Sequence, residues 1–486
     1  MPKSPIRGPK QIIRNMANSS SRGDSPLRSP RHISLDGRTL EGGGQLVRNA
    51  LALSALTSKP VTINHIRGNR GRGGGLKGSH AAAVKLLAEI GRSKVTGGEV
   101  GSTKISFEPE APASEVAPSS TSRKSSLVSL DNLSVQSEYK IQLSTPGSVF
   151  LIFQALYPYL LHAGSRAATD HIEVTITGGT NGTSAPSYDY ASQVMAPNFA
   201  RLGLPPLSIS LHKRGWTVGP IEMGSVSFLI HPLSSSKNEQ GVLDTCFPQI
   251  NIMDYERGKI TRIDVTVLAL DTVIPNGKKT VRAHIEKETR RSLRKAFQAL
   301  DSSMFEVPVD DNLGEGKLPI KIHTSEPTNH ASQIYVLLVA RTSTGFRIGK
   351  DTLISGGKSQ GPPKRKQKQT KNGPRQHDKG GNRAQDEADR LTGCIDGLVE
   401  EFLKEISDQG QDELDQSKSG SKKRSVLDTH MRDQIVVFEA LGEVHGNGDK
   451  SQKTQMEEDE NYWSLHTRTA QWVCQKMLIE IPEEES

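Results

Sequence analysis

From Gly44 onward the apolar residues Leu46, Val47, Ala50, Leu51 and Leu53 recur at helical spacing. The stretch Val61-Thr-Ile-Asn-His-Ile66 then reads as a strand and is followed by a Gly-rich loop. A second helix, Ala81 to Ile90, stops at Gly91, a natural C-cap residue, and two short strands come next at Lys94–Thr96 and Lys104–Phe107. The same order returns further along. Gly147-Ser148 opens a helix from Val149 to Leu161, His171–Thr177 reads as a strand, and Gly178-Gly179 makes a turn. A helix from Tyr188 to Leu202 ends at Gly203, and strands follow at Leu207–His212 and Val226–His231. Two units of helix–strand–helix–strand–strand predict an internally repeated α/β fold. A partial third copy shows as a helix at Arg432–Leu441 and another after His466. The segment 235–355 has a different character, with strands at Arg262–Leu270 and Gln333–Ala340 and a charged helix at Val281–Leu300, and reads as an inserted domain.

Composition refines this plan. Only 34% of the 486 residues are hydrophobic, and the mean hydropathy of −0.50 is low for a compact globule. Five stretches rich in Ser, Pro, Gly, Gln and charge account for the deficit: 1–31, 111–137, 356–388, 409–425 and 447–460. The remainder is ample for one large core and a satellite domain. The expected organisation is a disordered basic Ser/Pro-rich tail at 1–31 and a repeat domain at 33–232 and 389–482, carrying the shorter insertions. The inserted domain at 235–355 and a basic low-complexity linker at 356–388 complete it. The net charge of +8 does not describe the folded part. Residues 358–383 hold six Lys and three Arg against Asp378, and residues 1–31 hold seven Lys and Arg against Asp24. Without those tracts the chain is mildly acidic, so nucleic-acid contact requires a local patch.

Cys246, Cys394 and Cys474 lie far apart with no C-x-x-C spacing, which argues against a disulfide framework or a Cys-based zinc site and fits a reducing compartment. The most apolar run, Val149 to Leu161, is 13 residues long and too short to span a bilayer. The Arg/Ser-rich opening has the composition of an organelle transit peptide. Ser4-Pro5, Ser25-Pro26 and Ser29-Pro30 interrupt any amphipathic helix there, so a disordered tail is expected.

The densest chemical signal is Ile66-Arg-Gly-Asn-Arg-Gly-Arg-Gly-Gly-Gly-Leu-Lys-Gly-Ser-His80, in which Arg67, Arg70, Arg72 and Lys77 sit among six glycines before a helix. Glycines allow close backbone approach to an anion, the helix start offers free N–H groups, and Arg supplies bidentate phosphate contacts. The alternative is a solvated RGG-like loop. No G-x-x-x-x-G-K-[ST] run occurs, so this is not a P-loop. Glu41 precedes Gly42-Gly43-Gly44 with Arg48 one turn inside the helix; it suits either a phosphate-bound Mg²⁺ or the helix dipole. His466 stands where an apolar extended piece turns into the last helix. The positive end of the dipole there disfavours imidazolium and leaves the neutral ring that a nucleophile requires, although lone histidines in such places are often structural. His430 and Asp433, three apart on one helical face, either join His466 in a site or form a polar rim.

The run Leu35-Asp-Gly-Arg-Thr-Leu-Glu-Gly-Gly-Gly-Gln-Leu-Val-Arg48 and the following Asn-Ala-Leu-Ala-Leu-Ser54 resemble the opening signature of the RNA 3′-terminal phosphate cyclases. The likeness continues through Ile66-Arg67, Arg70, Gly75-Leu76, His80, Gly101-Ser-Thr103, Gly147-Ser148 and Gln154. It runs on through Gly178-Gly-Thr-Asn181, Ser184-Ala-Pro186 and Asp189-Tyr190, and closes with Asp433-Gln434 and Leu465-His466-Thr467-x-Thr469. The resemblance covers about 33–232 and 389–480. It implies repeated β-α-β-α-β-β units forming a large α/β (α+β) domain with a smaller inserted domain of thioredoxin-like topology. It also implies ATP-dependent conversion of an RNA 3′-phosphate into a 2′,3′-cyclic phosphate, with Mg²⁺ or Mn²⁺, through an enzyme–histidine–AMP species.

By motif, the resemblance implies His466 as the nucleophile that takes AMP and Glu41 as metal ligand. Arg48, Arg67 and Arg70 would hold phosphates of the RNA end, and Gln154, Pro186, His430 and Asp433 would line the adenylate pocket with His466. Three departures stand out. Lys77-Gly78-Ser79-His80 replaces the family's Arg-Pro-Gln-His, His430 replaces an aromatic residue, and Gly219-Pro-Ile-Glu-Met-Gly224 replaces a Gly-Gly-Gly run. Cyclase-like proteins of ribosome biogenesis, which share the fold without catalysis, are the alternative class; they lack the histidine that stands here at His466. Pro362-Pro-Lys-Arg-Lys-Gln-Lys368 resembles a nuclear-import patch, so a nuclear location is expected.

Overall fold

The computed structural model describes residues 32–70, 73–110, 135–165, 169–237, 243–274, 279–306, 318–354, 383–407, 425–445 and 464–479. The 1–31 tail and most of the basic linker and the three insertions lie outside these residues.

Two units share one topology. The first runs β1 (Ile33–Asp36), α1 (Gly44–Thr57), β2 (Val61–Asn64), α2 (Gly78–Ile90), β3 (Lys94–Thr96) and β4 (Ile105–Glu108). The second opens with β5 (Glu138–Gln142), α3 (Val149–Gly164) and β6 (Ile172–Gly178). A helical segment follows, comprising α4 (Tyr188–Tyr190), a π-helical turn at Ala191–Met195 and α5 (Ala196–Arg201), then β7 (Leu207–Lys213) and β8 (Gly224–Ile230). The sheets are ordered β1-β2-β4-β3 and β5-β6-β8-β7, each with its first two strands parallel and the other pairings antiparallel. The leading strands β1 and β5 escape the hydrophobic pattern because each is short and alternates polar residues, ISLD and EYKIQ. Parallel pairing to an apolar neighbour, Val61–Asn64 or Ile172–Gly178, makes them strands.

A short hairpin, β9 (Ser235–Lys237) and β10 (Leu243–Thr245), leads to a third sheet. This contains β11 (Ile260–Leu270), β12 (Ile320–Thr328), β13 (Ile334–Thr342) and β14 (Arg347–Ile354), with α6 (Val281–Phe297) between β11 and β12. Its order, β12-β11-β13-β14, repeats the same succession of one parallel and two antiparallel pairings. One face, with Ile263, Val265, Val267, Val336 and Leu338, is covered by α6 and by α7 (Arg383–Ser407) through Leu391, Ile395, Leu398 and Phe402. The other face, with Leu268, Tyr335, Leu337 and Val339, joins the core that contains α1, α2 and α3. Sequence reading had the chain rejoin the repeat domain at 389. The helix there packs instead on α6 and β14, its apolar residues at 391, 395, 398 and 402 forming one face that is buried in the core of the third sheet. The closing helices α8 (Thr429–His445) and α9 (Leu465–Leu478) pack with each other, α9 also against α1 and α8 against α3.

The helix expected over Tyr188–Leu202 is continuous but widens to π-winding before Pro197. Ala196 donates its N–H to the Ala191 carbonyl, an i→i−5 bond. Proline has no N–H for the carbonyl four residues back, that of Gln193. The Arg347 side chain supplies the missing donor through Nη1 at 2.8 Å. Asn198 completes the docking of β14, exchanging hydrogen bonds with the Arg347 backbone at 2.8 and 2.9 Å.

Candidate functional site

The loop entering α1 brings a carboxylate onto a helix start. Gly42 adopts φ +60°, and a Cβ there would lie 2.4 Å from the Gly37 carbonyl oxygen. Gly43 is the N-cap, and the Glu41 carboxylate occupies the space its side chain would fill. Glu41 thus lies against the positive end of the α1 dipole. Its N–H donates to Thr469 Oγ1 at 3.2 Å, tying the loop to α9. One carboxylate oxygen pairs with Arg70, while Oε2 is buried and makes no hydrogen bond.

Around this single acid stand Arg48, Arg67, Arg70 and Lys77. The chain turns sharply between β2 and α2, with His65 at φ +50° and Arg67 at φ +55°. Gly75 (φ +80°) packs so tightly on Gly101 that a Cβ would meet its carbonyl oxygen at 2.3 Å. Bonds from Ile66 N–H to Thr103, Gly75 N–H to Ile66 and Leu76 N–H to Ser102 hold the loop, and Arg67 Nη1 donates to the Gly75 carbonyl at 3.3 Å. Burial acts on all of these groups, and like charge adds to it at Arg67, Lys77 and His80. Burial pulls Arg48 down to about 10, opposed by Glu41. Burial and Arg70 lower Arg67, and burial, Arg67 and Arg70 lower Lys77. Burial, reinforced by Arg48, Arg67 and Lys77, holds His80 at about 3, so its ring is neutral. Its Nδ1 accepts from the Lys77 N–H at 3.2 Å, which places the proton on Nε2 beside Gly44. The loop between β2 and α2 is therefore a pinned, anion-receptive structure through its described residues.

His466 lies in the first turn of α9, whose N-cap Ser464 accepts from the Thr467 N–H at 3.0 Å. Its side chain is 50% exposed. Nδ1 sits 3.1 Å from Gln45 Oε1. Gln45 is buried in the first turn of α1, and its Nε2 donates to the Asp433 carbonyl at 3.2 Å. With Nε2 committed to that carbonyl, Oε1 is an acceptor, so His466 must carry its proton on Nδ1. In the neutral ring the lone pair is then on Nε2, as an attacking imidazole requires. The Asp433 carboxylate accepts from Ser464 Oγ at 2.6 Å and from Thr467 Oγ1. Asp433 thereby braces the helix start that carries the histidine.

Beside this network lies a recess of about 430 Å³, counting its open mouth, between α1, α3, α5 and α8. Gln154, Arg48 and Asp433 line it, with Phe153, Tyr157 and Phe438 as its apolar wall. Of the residues singled out from sequence, Glu41, Arg70, Arg48, Arg67, Asp433 and His466 belong to this network or to the cationic cluster beside it, and Gln154 faces the recess. Pro186 precedes Ser187, the N-cap of α4, and is not among the lining residues. His430 is exposed and stands edge-on to Tyr190, 6.2 Å between rings, one helical turn before Asp433 and not among the lining residues. Sequence reasoning missed the roles of Gln45, Ser464 and Thr469. The one available signal was that Gln45 shares its helix face with Arg48 and Asn49, a polar stripe on a largely apolar helix. Among the described residues no cluster of three or more His, Cys, Asp or Glu could cage a metal. Glu41 Oε2, buried and without a hydrogen bond, fits a single-carboxylate contact to a hard cation that keeps waters and phosphates as its other ligands.

Repeated four-stranded mixed sheets, helix N-termini converging on a cationic cluster, and a histidine held in one tautomer define an α/β protein with an anion-receptive end. The RNA 3′-terminal phosphate cyclase family model matches residues 39–481, and the chain belongs to that family. It is similar to proteins named RNA 3′-terminal phosphate cyclase from three organisms. The Koribacter versatilis protein is 34% identical over 42% of this chain and 49% of its own length. The Korarchaeum cryptofilum protein is 31% identical over 53% and 64%, and the Sulfurisphaera tokodaii protein 32% identical over 43% and 54%. The aligned part thus spans between about half and just under two thirds of each relative.

Proposed function

We propose that the protein uses ATP to convert the 3′-terminal phosphate of RNA into a 2′,3′-cyclic phosphate, with His466 as the nucleophile. The observation that carries this reading is the His466 ring itself, its Nδ1 proton committed to Gln45 and its Nε2 free, beside an anion-receptive cluster. His466 Nε2 attacks the α-phosphorus of ATP; an N–P bond forms and the bond to the pyrophosphate oxygen breaks. An oxygen of the RNA 3′-phosphate then attacks the adenylate phosphorus, and the N–P bond breaks to give RNA(3′)pp(5′)A. The vicinal 2′-hydroxyl attacks the activated phosphorus, loses its proton, and AMP leaves. Because that step is intramolecular, rigid holding of the end supplies much of the rate. The same hydroxyl requirement selects RNA over DNA.

Arg67 and Arg70 hold the RNA phosphate and Arg48 serves the same end from inside α1, while Gln154, Pro186, His430 and Asp433 border the adenylate. Mg²⁺ or Mn²⁺, when bound through Glu41, offsets the charge of the phosphates. The basic run at 362–368 supports a nuclear location. The test is incubation with α-labelled ATP and Mg²⁺ without RNA. The wild type takes up AMP through an acid-labile, alkali-stable bond, and His466→Ala takes up none. An unlabelled wild type would overturn the reading in favour of a non-catalytic, cyclase-like RNA or protein partner. Among the described residues no helix is long and apolar enough to cross a membrane.

A further inference from the structure

The third sheet carries a row of arginines that the catalytic reading does not use. Arg262 on β11 pairs in register with Arg341 on β13, and Arg341 pairs with Arg347 on β14. Neighbouring strands lie about 4.8 Å apart, so three guanidinium stems stand side by side. They point to the face turned toward the π-helical turn, where Arg347 Nη1 reaches the Gln193 carbonyl. One carboxylate answers them. Asp264, buried at 3% exposure, is 2.8 Å from Arg262 Nε through Oδ1 and accepts from Arg341 Nε through Oδ2. Among the described residues no other acidic side chain is ion-paired with the row.

Like charges placed directly opposite across strands repel, and a row with one counter-charge for three cations has an unmet demand for anion. The repulsion is felt at Arg347, which burial and then Arg341 lower to about 10. The row is also open to a ligand. Arg262 and Arg341 side chains are 31% and 27% exposed. Asp264 engages the Nε side of both arginines, and Arg262 Nη2 reaches it only at 3.3 Å. Arg262 Nη1, both Nη atoms of Arg341 and Nη2 of Arg347 make no hydrogen bond among the described residues. Arg201, its guanidinium 5.6 Å over the Phe346 ring, adds a fourth cation at the β13–β14 turn. Planar forks presented together in this way match the oxygens of a phosphate group rather than a single point charge.

We propose that Arg262, Arg341 and Arg347 form a second phosphate-binding site, separate from the Arg67–Arg70 cluster. Its ligand is a phosphate group, carried either by an RNA backbone or by free phosphate. The experiment is calorimetric titration of the full chain with inorganic phosphate in an Arg67→Ala/Arg70→Ala background, so that the end cluster contributes little. Phosphate binding persists in that background and weakens at least tenfold when Arg262→Gln or Arg341→Gln is added, while Arg341→Lys, which keeps charge but not the fork, falls between. Absence of binding in the background, or binding in both Gln variants unchanged from the background, overturns the site. Melting curves identify any variant that fails to fold, and Arg262→Gln, at the more exposed position, then carries the test. The source follows from two 3′-phosphorylated RNAs on otherwise wild-type protein. If Arg262→Gln weakens a twelve-nucleotide RNA and flattens its salt dependence but spares a dinucleotide, the ligand is a backbone phosphodiester. If it changes neither RNA while free phosphate is lost, the ligand is free phosphate.

Discussion

Gln45 shows how a single side chain sets the chemistry of its neighbour. It bonds His466 with one end and the Asp433 backbone with the other, and so decides which imidazole nitrogen is free. Gln45→Leu, similar in volume but without either bond, is expected to slow AMP uptake by about ten- to a hundredfold, roughly 1.4–2.8 kcal/mol, with little change in melting temperature. Gln45→Glu keeps an acceptor for Nδ1–H and is expected to retain more of the rate than Gln45→Leu. Arg67→Ala and Arg70→Ala are expected to spare the enzyme–AMP species and to slow transfer to RNA by about ten- to a hundredfold each, read by single-turnover assays. His80 gives a stability prediction. Its folded value near 3 lies below the 6.5 of a free histidine, so between these values the unfolded chain binds a proton that the folded chain does not. That contribution is full above 6.5 and is lost as pH falls toward 3, by up to about 1.4 kcal/mol per pH unit. His80→Gln keeps an acceptor for the Lys77 N–H but cannot titrate; the fall in melting temperature from pH 7 to pH 5 becomes smaller.

At the scale of elements, the turns are as constrained as the helices. The loop bearing Arg67 passes through Gly75 because the Gly101 carbonyl lies where any side chain would start. Gly75→Ala is expected to cost about 1–3 kcal/mol in a melting experiment and to weaken RNA-end binding, since Arg67 is braced on the Gly75 carbonyl. Helices α1, α2, α3, α8 and α9 were legible because their apolar spacing is strong and Gly or Ser punctuates their ends. The strands β12 and β14 and the helix α7 were not. Polar residues alternate through β12, which lies at the edge of its sheet, and β14 is strand-like only through its full register with β13. The π-turn before Pro197 depends on Arg347, which is 150 residues away and invisible in local sequence.

Across the whole molecule, Asp428 links the pieces. It accepts from Tyr190 OH at 2.6 Å, the Gly349 N–H at 2.8 Å and the Met431 N–H at 2.9 Å, joining the second unit, the third sheet and the start of α8. Burial, then Glu405, pushes its carboxyl up. Asp428→Ala strands these buried donors and is expected to destabilise the whole fold by roughly 3 kcal/mol or more, seen as a single lowered melting transition. Deleting 358–382, outside the described residues and carrying none of the site motifs, is expected to leave AMP uptake intact while reducing nuclear accumulation or salt-sensitive RNA affinity. Loss of AMP uptake in that deletion would tie the tract to the fold.

What the sequence determined by itself was local or periodic. Helical spacing, the glycines of the entry loops and the order of two repeated units are written along the chain, as are the motifs through which Glu41, Arg67, Arg70 and His466 resemble a family. Tertiary structure alone decided which of these residues meet. It brought Gln45 to His466 across 421 positions and Glu41 to Thr469 across 428. It set His430 edge-on to Tyr190 and aligned Arg262, Arg341 and Arg347 into one row. The physical reason is that spacing specifies which face an element buries, whereas the partner of a polar side chain is fixed by how those faces pack.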